Sequence, residues 1–303
     1  MSRRRKGRDV HGIVLLDKPA GYSSSQAVQK VRWLFQARKA GHTGSLDPFA
    51  TGLLPICLGE ASKTAGFMLD ATKAYRARAR LGQATTTGDI EGEISATAPV
   101  PDLAIDQVKT ILAGFEGLIS QVPPMYSALK HQGQPLYRLA RAGLEVPRQP
   151  REVTIHALDL ISWQPPSLEF RVRCSKGTYV RTLAEDIACA MGSCAHLQAL
   201  RRLEVGPFRE TGMLTLEELE AMAGDGSIDR CLLAPDAGLQ DWPTVHLDEP
   251  GARAFTHGNP VAGVAGEVGP VREYGPGDVL LGLGELTADR SLKVRRVMHL
   301  EPR

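Results

Sequence analysis

The stretch Gly41-His42-Thr43-Gly44-Ser45-Leu46-Asp47-Pro48-Phe49-Ala50-Thr51-Gly52-Leu53-Leu54-Pro55 combines three glycines and two prolines with a single carboxylate. Neither glycine nor proline favours the interior of a helix or of a central strand. The stretch therefore predicts an ordered loop that presents His42 and Asp47 at fixed positions, and Asp47 is the candidate reactive group.

A helix is predicted immediately before this loop. Three serines, Ser23–Ser25, offer a hydroxyl that can cap a helix N-terminus. Apolar residues then recur at helical spacing, and they are Ala27, Val28, Val31, Leu34 and Phe35. Because Gly41 breaks the pattern, the predicted loop continues directly from the end of a helix.

Strands are predicted where apolar and polar residues alternate. From Tyr75 to Leu81 the apolar residues alternate with three arginines, and Leu168–Cys174 alternates in the same way. A helix with an apolar stripe follows from about Val180, and Gly192 suits its C-terminal end. Tyr179 and Arg181 thus lie where a strand passes into a helix N-terminus, a position that suits a site facing an anion. Strands and helices together predict a mixed α/β (α+β) fold.

Two segments differ in composition from the rest of the chain. Residues 124–150 are rich in Pro, Gly, Arg and Gln and predict an excursion from the core, and such excursions are often binding elements. Residues 235–243 have the composition of a linker, and after about residue 243 short strand-like pieces rich in Gly and Val predict a small β-rich appended domain.

Composition excludes several classes of protein. The chain has 303 residues and a formal net charge of +2. Apolar residues make up 43% of it, which is enough to form a hydrophobic core. It contains no run of 18 apolar residues and no signal-peptide core, so a cytoplasmic protein is predicted. The five cysteines include no CxxC pair. Cys189, Cys194 and His196 lie close in sequence, but small buried cysteines are the preferred interpretation because closed zinc sites need four ligands.

The small net charge hides clusters of basic residues. They fall at Arg3–Arg8, Arg76–Arg80, Arg138/Arg141, Arg201/Arg202 and Lys293/Arg295/Arg296. A polyanion partner fits such clusters if the fold brings several to one face. Dispersed, solvated charges are the equally weighted alternative, so charge alone does not decide between the two.

Several longer motifs together resemble a known family. The stretch Gly41–Pro55 closely resembles the catalytic motif of TruB-type tRNA pseudouridine synthases. Three further stretches resemble the same family in its order, and they are Leu15-Leu16-Asp17-Lys18-Pro19-Ala20-Gly21, Lys73-Ala74-Tyr75-Arg76 and Cys174-Ser175-Lys176-Gly177-Thr178-Tyr179-Val180-Arg181. Met125-Tyr126-Ser127-Ala128-Leu129-Lys130 is also similar to the family. Several long motifs in order are far more specific than one short pattern.

The resemblance implies a fold, a domain division and a reaction. It implies a pseudouridine synthase domain over residues 9–237, with a central mixed, largely antiparallel sheet flanked by helices and an RNA-gripping insertion at about 124–150. It also implies a PUA-like RNA-binding domain over 243–303. The reaction would be base flipping and isomerisation of uridine 55 in the T loop of tRNA by an aspartate nucleophile. No metal or other cofactor and no obligate protein partner would be needed, and the partner would be the tRNA T arm, bound by a monomer.

The resemblance also assigns roles to individual residues. The catalytic residues would be Asp47 as nucleophile, Tyr75 stacking on the base and Arg181 pairing with Asp47. Substrate-binding positions would be His42, Tyr75, Tyr179 and Leu200, with Lys18 and Asp89 as weaker candidates. Phosphate contacts would come from Lys18, Lys63 and Arg202, from Arg138, Arg141, Arg148 and Arg151 in the insertion, and from Lys293, Arg295 and Arg296 near the C-terminus.

Other interpretations stay open at this point. Taken alone, Asp47 could cap a loop N–H, Tyr75 could be a core residue, and Arg181 could lie on a helix surface. The chain could also be an RNA-binding or tRNA-folding module without turnover, or add a tRNA-folding chaperone role to catalysis. A guide-RNA-dependent relative of the family is a third hypothesis, and activity of the purified chain alone would separate it from the first.

Overall fold

The computed structural model describes residues 7–300, so Arg3–Lys6 of the N-terminal basic cluster lie outside the described residues. In the first part of the chain the strands are β1 Gly12–Lys18, β2 Ala40–His42, β3 Thr51–Leu58, β4 Lys73–Leu81, β5 Gln83–Thr85, β6 Ile94–Thr97, β7 Gly117–Gln121, β8 Lys130–His131, β9 Gln134–Pro135, β10 Arg151–Gln164, β11 Ser167–Cys174, β12 Ala195–Val205 and β13 Phe208–Arg209. The helices there are α1 Ser24–Leu34, α2 Ala65–Met68, α3 Ile105–Ala113, α4 Leu136–Arg141, α5 Val180–Ala190 and α6 Leu216–Gly224.

Nine strands form one central sheet in the order β1-β3-β12-β4-β11-β10-β7, with β2 added to β3 and β13 to β12. Neighbouring strands run antiparallel except β3 and β12, which pair in parallel. Apolar residues of α1, α3, α5 and α6 join those of the sheet in one core cluster. The prediction of a mixed, largely antiparallel sheet flanked by helices is confirmed.

The second half of the predicted loop Gly41–Pro55 is in fact a strand. Residues from Thr51 to Leu58 form β3, whose leucines are fully buried, and only residues 43–50 are loop. The expectation that two prolines exclude a strand was wrong because Pro55 lies between the part of β3 that pairs with β12 and the part that pairs with β2. Pro55 pairs with Leu15 of β1, and on its other side, beyond the end of β2, its carbonyl accepts from the Thr43 N–H at 3.3 Å, so the missing N–H is tolerated there.

The alternation along β4 places its two faces as predicted. Ala77, Ala79 and Leu81 are buried in the core, whereas Arg76 and Arg78 are exposed on the opposite face. Tyr75 shares the inner face and is half-buried. The helices pack against this inner face of β4. The Tyr75 side chain lies there beside the loop that follows β2.

A second, five-stranded sheet is built from the C-terminal residues in the order β14-β16-β17-β18-β15. Its elements are β14 Thr244–His246, α7 Glu249–Thr256, β15 Val261–Ala262, β16 Gly269–Gly275, β17 Val279–Leu286 and β18 Ser291–Val297. Leu280, Leu283 and Met298 pack with residues of β1 and β3 in a shared cluster. The β-rich C-terminal region is confirmed, and it is fixed against the central sheet.

A buried ion pair strengthens this junction. Arg272 of β16 lies 3.0 Å from the Asp236 carboxylate in the linker, and the Tyr274 hydroxyl donates to the same oxygen at 2.6 Å. The Asp236 side chain is only 4% exposed.

Across residues 7–300 the helices are all too short or too polar to span a bilayer.

Candidate active site

The loop that carries Asp47 is held at several points along its backbone. The Ser24 hydroxyl accepts from the Leu46 N–H at 2.7 Å and donates to the Leu46 carbonyl at 3.0 Å. The Pro48 carbonyl accepts from the Gly21 N–H at 2.9 Å and from the Lys18 ammonium at 3.2 Å. These bonds explain how so short a loop can present one carboxylate at a fixed position.

Arg181 is the electrostatic centre of the site. It lies in the first turn of α5, its side chain is 5% exposed, and its Nε is 3.1 Å from Asp47 Oδ2. Its Nη1 lies 3.3 Å from Asp89 Oδ2. Its terminal nitrogens also donate to the carbonyls of Thr87 and Tyr126, each at 2.7 Å. The guanidinium therefore joins two carboxylates and two loops, and the alternative of a helix-surface arginine is wrong.

Two opposing effects act on the Asp47 carboxyl. Burial raises the pKa of Asp47 above its ordinary value, and the Arg181 guanidinium and Lys18 offset that rise only in part. Asp89 also raises the pKa of Asp47, because two carboxylates share one cation. The side chain of Asp47 is 39% exposed, so it is the member of the network that an incoming molecule can reach.

A cavity of about 300 Å³ adjoins this carboxylate. Its wall brings together five of the predicted residues, which are Asp47, Tyr75, Tyr179, Arg181 and Leu200. Its lining mixes apolar and aromatic side chains with several polar and charged groups, and a pocket of this size can take a small molecule or a nucleobase. Burial raises the pKa of both tyrosines, which therefore keep their hydroxyl protons at neutral pH.

A neighbouring cavity of about 390 Å³ shares Asp47 and Arg181 with the first. Asp89 lines it, as do Tyr137 and Arg141 of the predicted insertion. The insertion thus forms one side of the cleft rather than a detached excursion. Asp47 lies where the two cavities meet, so a group bound in either one would contact it.

Two of the predicted substrate-binding residues, His42 and Lys18, lie outside both cavities. His42 is at the end of β2, where its Nδ1 accepts from the Gly44 N–H at 3.1 Å, and burial lowers its pKa. Lys18 is 0% exposed and its ammonium donates to the carbonyls of Pro19, Tyr22 and Pro48. In this arrangement neither lines the two cavities, and the Lys18 ammonium binds the loop that carries Asp47 through the Pro48 carbonyl.

Sequence reasoning gave no role to one cation of the cavity wall, Lys73, and gave a second, Arg202, only a phosphate contact. Lys73 and Arg202 both line the smaller cavity. Burial, helped by nearby Arg202, lowers the pKa of Lys73 to about 8, and its ammonium donates to the carbonyls of Leu69 and Ala71, each at 2.7 Å. The signal for Lys73 was available, since it precedes Tyr75 by two residues on the same strand and so shares its face. Among residues 7–300 no group of His, Cys, Asp and Glu is placed to hold a metal ion.

Family profiles match nearly the whole chain. Residues 32–180 match "TruB family pseudouridylate synthase (N terminal domain)", residues 181–240 match "tRNA pseudouridylate synthase B C-terminal domain", and residues 243–298 match "Pseudouridine synthase II TruB, C-terminal". The boundary between the last two profiles falls in the segment that joins the two sheets.

Similar proteins span the same length. The tRNA pseudouridine synthase B of Nitrosococcus oceani is 51% identical over 299 residues, covering 98% of this chain and 97% of the relative. The enzyme of the same name from Pseudomonas aeruginosa is 50% identical over 300 residues, covering 98% of each chain. Among solved structures, a chain of a Cbf5-Nop10-Gar1 complex superposes with a TM-score of 0.74 at 26% identity, covering 94% of this chain and 84% of that one.

Proposed function

Because this chain belongs to the TruB family of pseudouridylate synthases, which are isomerases, we propose that it converts uridine 55 in the T loop of tRNA to pseudouridine. Asp47 is the nucleophile of this proposal. The observation that carries it is the ion pair between the partly exposed Asp47 and the buried Arg181, at the mouth of a cavity lined by Tyr75.

The reaction rearranges bonds without consuming an oxidant or a reductant. The C1′–N1 glycosidic bond breaks, a C1′–C5 bond forms, the proton at C5 leaves, and N1 gains a proton. The target base must leave the RNA stack to be reached, which costs a few kcal/mol. Stacking of the uracil on an aromatic ring offsets part of this cost, and Tyr75 and Tyr179 line the cavity that would receive it.

Asp47 can act on the flipped nucleotide only as a carboxylate. Attack on the sugar, attack on the base and stabilisation of a cationic sugar all require its ionised form. The buried Arg181 favours that form, because an opposite charge within about 4 Å lowers the pKa of a carboxyl. Arg181 also fixes the direction of the carboxylate through its Nε, which is 3.1 Å from Oδ2.

RNA contacts outside the cavity are assigned to two regions, by charge and exposure. Arg138 and Arg141 lie on the short helix α4 of the insertion, beside the larger cavity. Lys293, Arg295 and Arg296 are exposed on β18 of the PUA-like region. Basic side chains in such positions bind phosphates and set the register of the RNA. We place the catalytic domain at residues 9–237 and the PUA-like domain at 243–303.

The decisive experiment uses the purified chain and a T-arm stem-loop RNA. Pseudouridine formation is followed by release of tritium from [5-³H]uridine, with an RNA whose single labelled uridine is the target as substrate. Wild type should convert it without guide RNA or added protein, and an inactive wild type would refute the proposal. A requirement for a guide RNA would instead support the guide-dependent alternative.

The Asp47→Asn variant tests the role of the carboxylate. Loss of a nucleophile lowers turnover by on the order of 10³-fold or more, while the RNA affinity should stay close to that of wild type. Asp106→Asn, an exposed carboxylate on α3, is the matched control and should keep full activity. If Asp47→Asn rescues misfolded tRNA as well as wild type does, a separate tRNA-folding role is supported.

A further inference from the structure

Arg202 is a fully buried cation that has no acidic partner among the described residues. Its side chain is in β12 and the residue is 1% exposed. Each of its three guanidinium nitrogens donates to a backbone carbonyl, Nε to Leu53 at 2.7 Å, Nη1 to Ser45 at 3.3 Å and Nη2 to Gly44 at 3.1 Å. A buried charge is costly unless it is hydrogen-bonded. The guanidinium is thus held by the protein's own backbone, and a phosphate contact would have to displace one of these bonds.

The three carbonyls belong to the two ends of the loop that carries Asp47. Gly44 and Ser45 precede the aspartate, and Leu53 follows it in β3. The backbone of Arg202 also pairs with Gly52 in the parallel ladder, so close that a Cβ at Gly52 would lie 2.3 Å from the Arg202 carbonyl oxygen. One residue thus fastens both ends of the loop at its base.

The same guanidinium reaches the aromatic residue of the cavity. Tyr75 lies directly opposite Arg202 in the antiparallel pairing of β4 with β12, and the side chains of the two residues interact. Arginine has donors but no acceptor. Both residues also line the smaller cavity, so a hydrogen bond between the two side chains runs from the guanidinium to the Tyr75 oxygen and leaves the Tyr75 O–H free to donate elsewhere.

We propose that Arg202 is a positioning residue that couples two parts of the active site, the loop of Asp47 and the hydroxyl of Tyr75. Its bonds to Gly44, Ser45 and Leu53 fix where the carboxylate stands. Its contact with Tyr75 fixes the ring and leaves the phenol to donate within the cavity. A lysine at this position keeps the charge, but its single nitrogen lacks the planar fork that reaches both ends of the loop.

A positioning role makes a specific prediction about the two kinetic constants. Arg202→Lys should lower the single-turnover rate by about 10-fold or more, because a misplaced catalytic group costs rate. The dissociation constant of T-arm RNA should change by less than about 3-fold, since Arg202 contacts no RNA. This part rests on the proposed function. An unchanged rate, or a loss of affinity as large as the loss of rate, would overturn it.

A double-variant cycle tests the coupling to Tyr75. If Arg202 acts in part through the Tyr75 hydroxyl, Arg202→Lys combined with Tyr75→Phe should be little slower than the slower single variant. Rate losses that multiply in the double variant would show that the two residues act independently and would overturn the coupling.

Two further measurements need no activity, so they distinguish failure of this inference from failure of the proposed function. Hydrogen exchange of wild type and Arg202→Lys should differ mainly in residues 43–53, whereas a purely structural role would speed exchange throughout the chain. Tyr75→Phe, which leaves Arg202 in place, should lower the Tm by about 2 °C or more because a buried donor loses its acceptor. Tyr22→Phe, with an exposed ring, is the control. An unchanged Tm in Tyr75→Phe overturns the contact even if Arg202→Lys fails to fold.

Discussion

Glu273 offers a test of stability that is independent of catalysis. It lies in the middle of β16, is 0% exposed, and both carboxylate oxygens lack a hydrogen-bond partner among the described residues. It fits because the facing strand carries glycine: a Cβ at Gly284 would lie 2.4 Å from Glu273 Oε1. Burial alone raises the pKa of Glu273 to about 8. We therefore expect this carboxyl to be protonated in the folded protein at neutral pH.

The sign of the pH dependence follows from proton binding. Between the ordinary pKa of 4.5 and the folded-state pKa of about 8, the folded protein holds a proton that the unfolded chain has released. The contribution of Glu273 to the free energy of unfolding is therefore fully present below pH 4.5 and falls as the pH rises to about 8. The slope is at most about 1.4 kcal/mol per pH unit. The largest contribution that Glu273 can make to the free energy of unfolding is then about 5 kcal/mol. Relaxation of the protein around a buried charge reduces this contribution to on the order of 2–4 kcal/mol.

The assay compares wild type with Glu273→Gln by urea unfolding at pH 5, 6.5 and 8. Glutamine has the shape of the protonated side chain but does not titrate, so the difference in free energy of unfolding should shift in favour of the variant as the pH rises. Other titrating groups cancel in that difference. Glu267→Gln, an exposed glutamate, is the control and should show a constant difference. A constant difference for Glu273→Gln would mean that its carboxyl titrates normally, and the reasoning from burial would be refuted.

Two further predictions concern ion pairs, that of Arg181 with Asp47 and Asp89 and that of Arg272 with Asp236. Arg181→Lys should reduce the single-turnover rate by on the order of 10²-fold with RNA affinity retained, because one ammonium cannot hold both Asp47 and Asp89 in place. Rapid-quench kinetics measures this rate, and a loss of RNA affinity without a loss of rate would contradict the prediction. Asp236→Asn should lower the free energy of unfolding by about 2 kcal/mol, because Arg272, whose side chain is only 17% exposed, loses its counter-charge. Urea unfolding measures this, and a change below about 0.5 kcal/mol would contradict it.

Much of the fold could be predicted because local pattern and burial agree in this chain. The capping serine at the start of α1, the alternation along β4 and the apolar stripe of α5 each produced the expected element. The strand β3 could not be predicted from composition, because a proline in a strand is tolerated or not according to which neighbours pair with it. That pairing depends on β12, which follows β3 by more than 130 residues in sequence.

The candidate site was likewise predicted only in part. Asp47, Tyr75 and Arg181 were predicted from motifs, and the structure brings all three to one cavity. The network around them was not predicted, because Arg181 reaches Asp89 and the Tyr126 carbonyl only after distant loops have packed. Periodicity predicts on which face of a helix or strand a side chain lies, but it does not predict which backbone carbonyl of a distant segment the side chain will contact.

The buried cations around Asp47 have a common physical basis. Lys18 donates to three carbonyls, and a neutral amine has only two hydrogens, so this geometry requires the ammonium. Burial lowers the pKa of Lys18 to about 8, which still leaves it charged at neutral pH. Arg181 and Arg202 are charged at any ordinary pH. Each of the three therefore uses backbone carbonyls to stay ionised while enclosed, and together they give the loop of Asp47 a positive surrounding. The charges of Arg181 and Lys18 lower the pKa of Asp47 and so oppose the burial and the Asp89 carboxylate, which raise it.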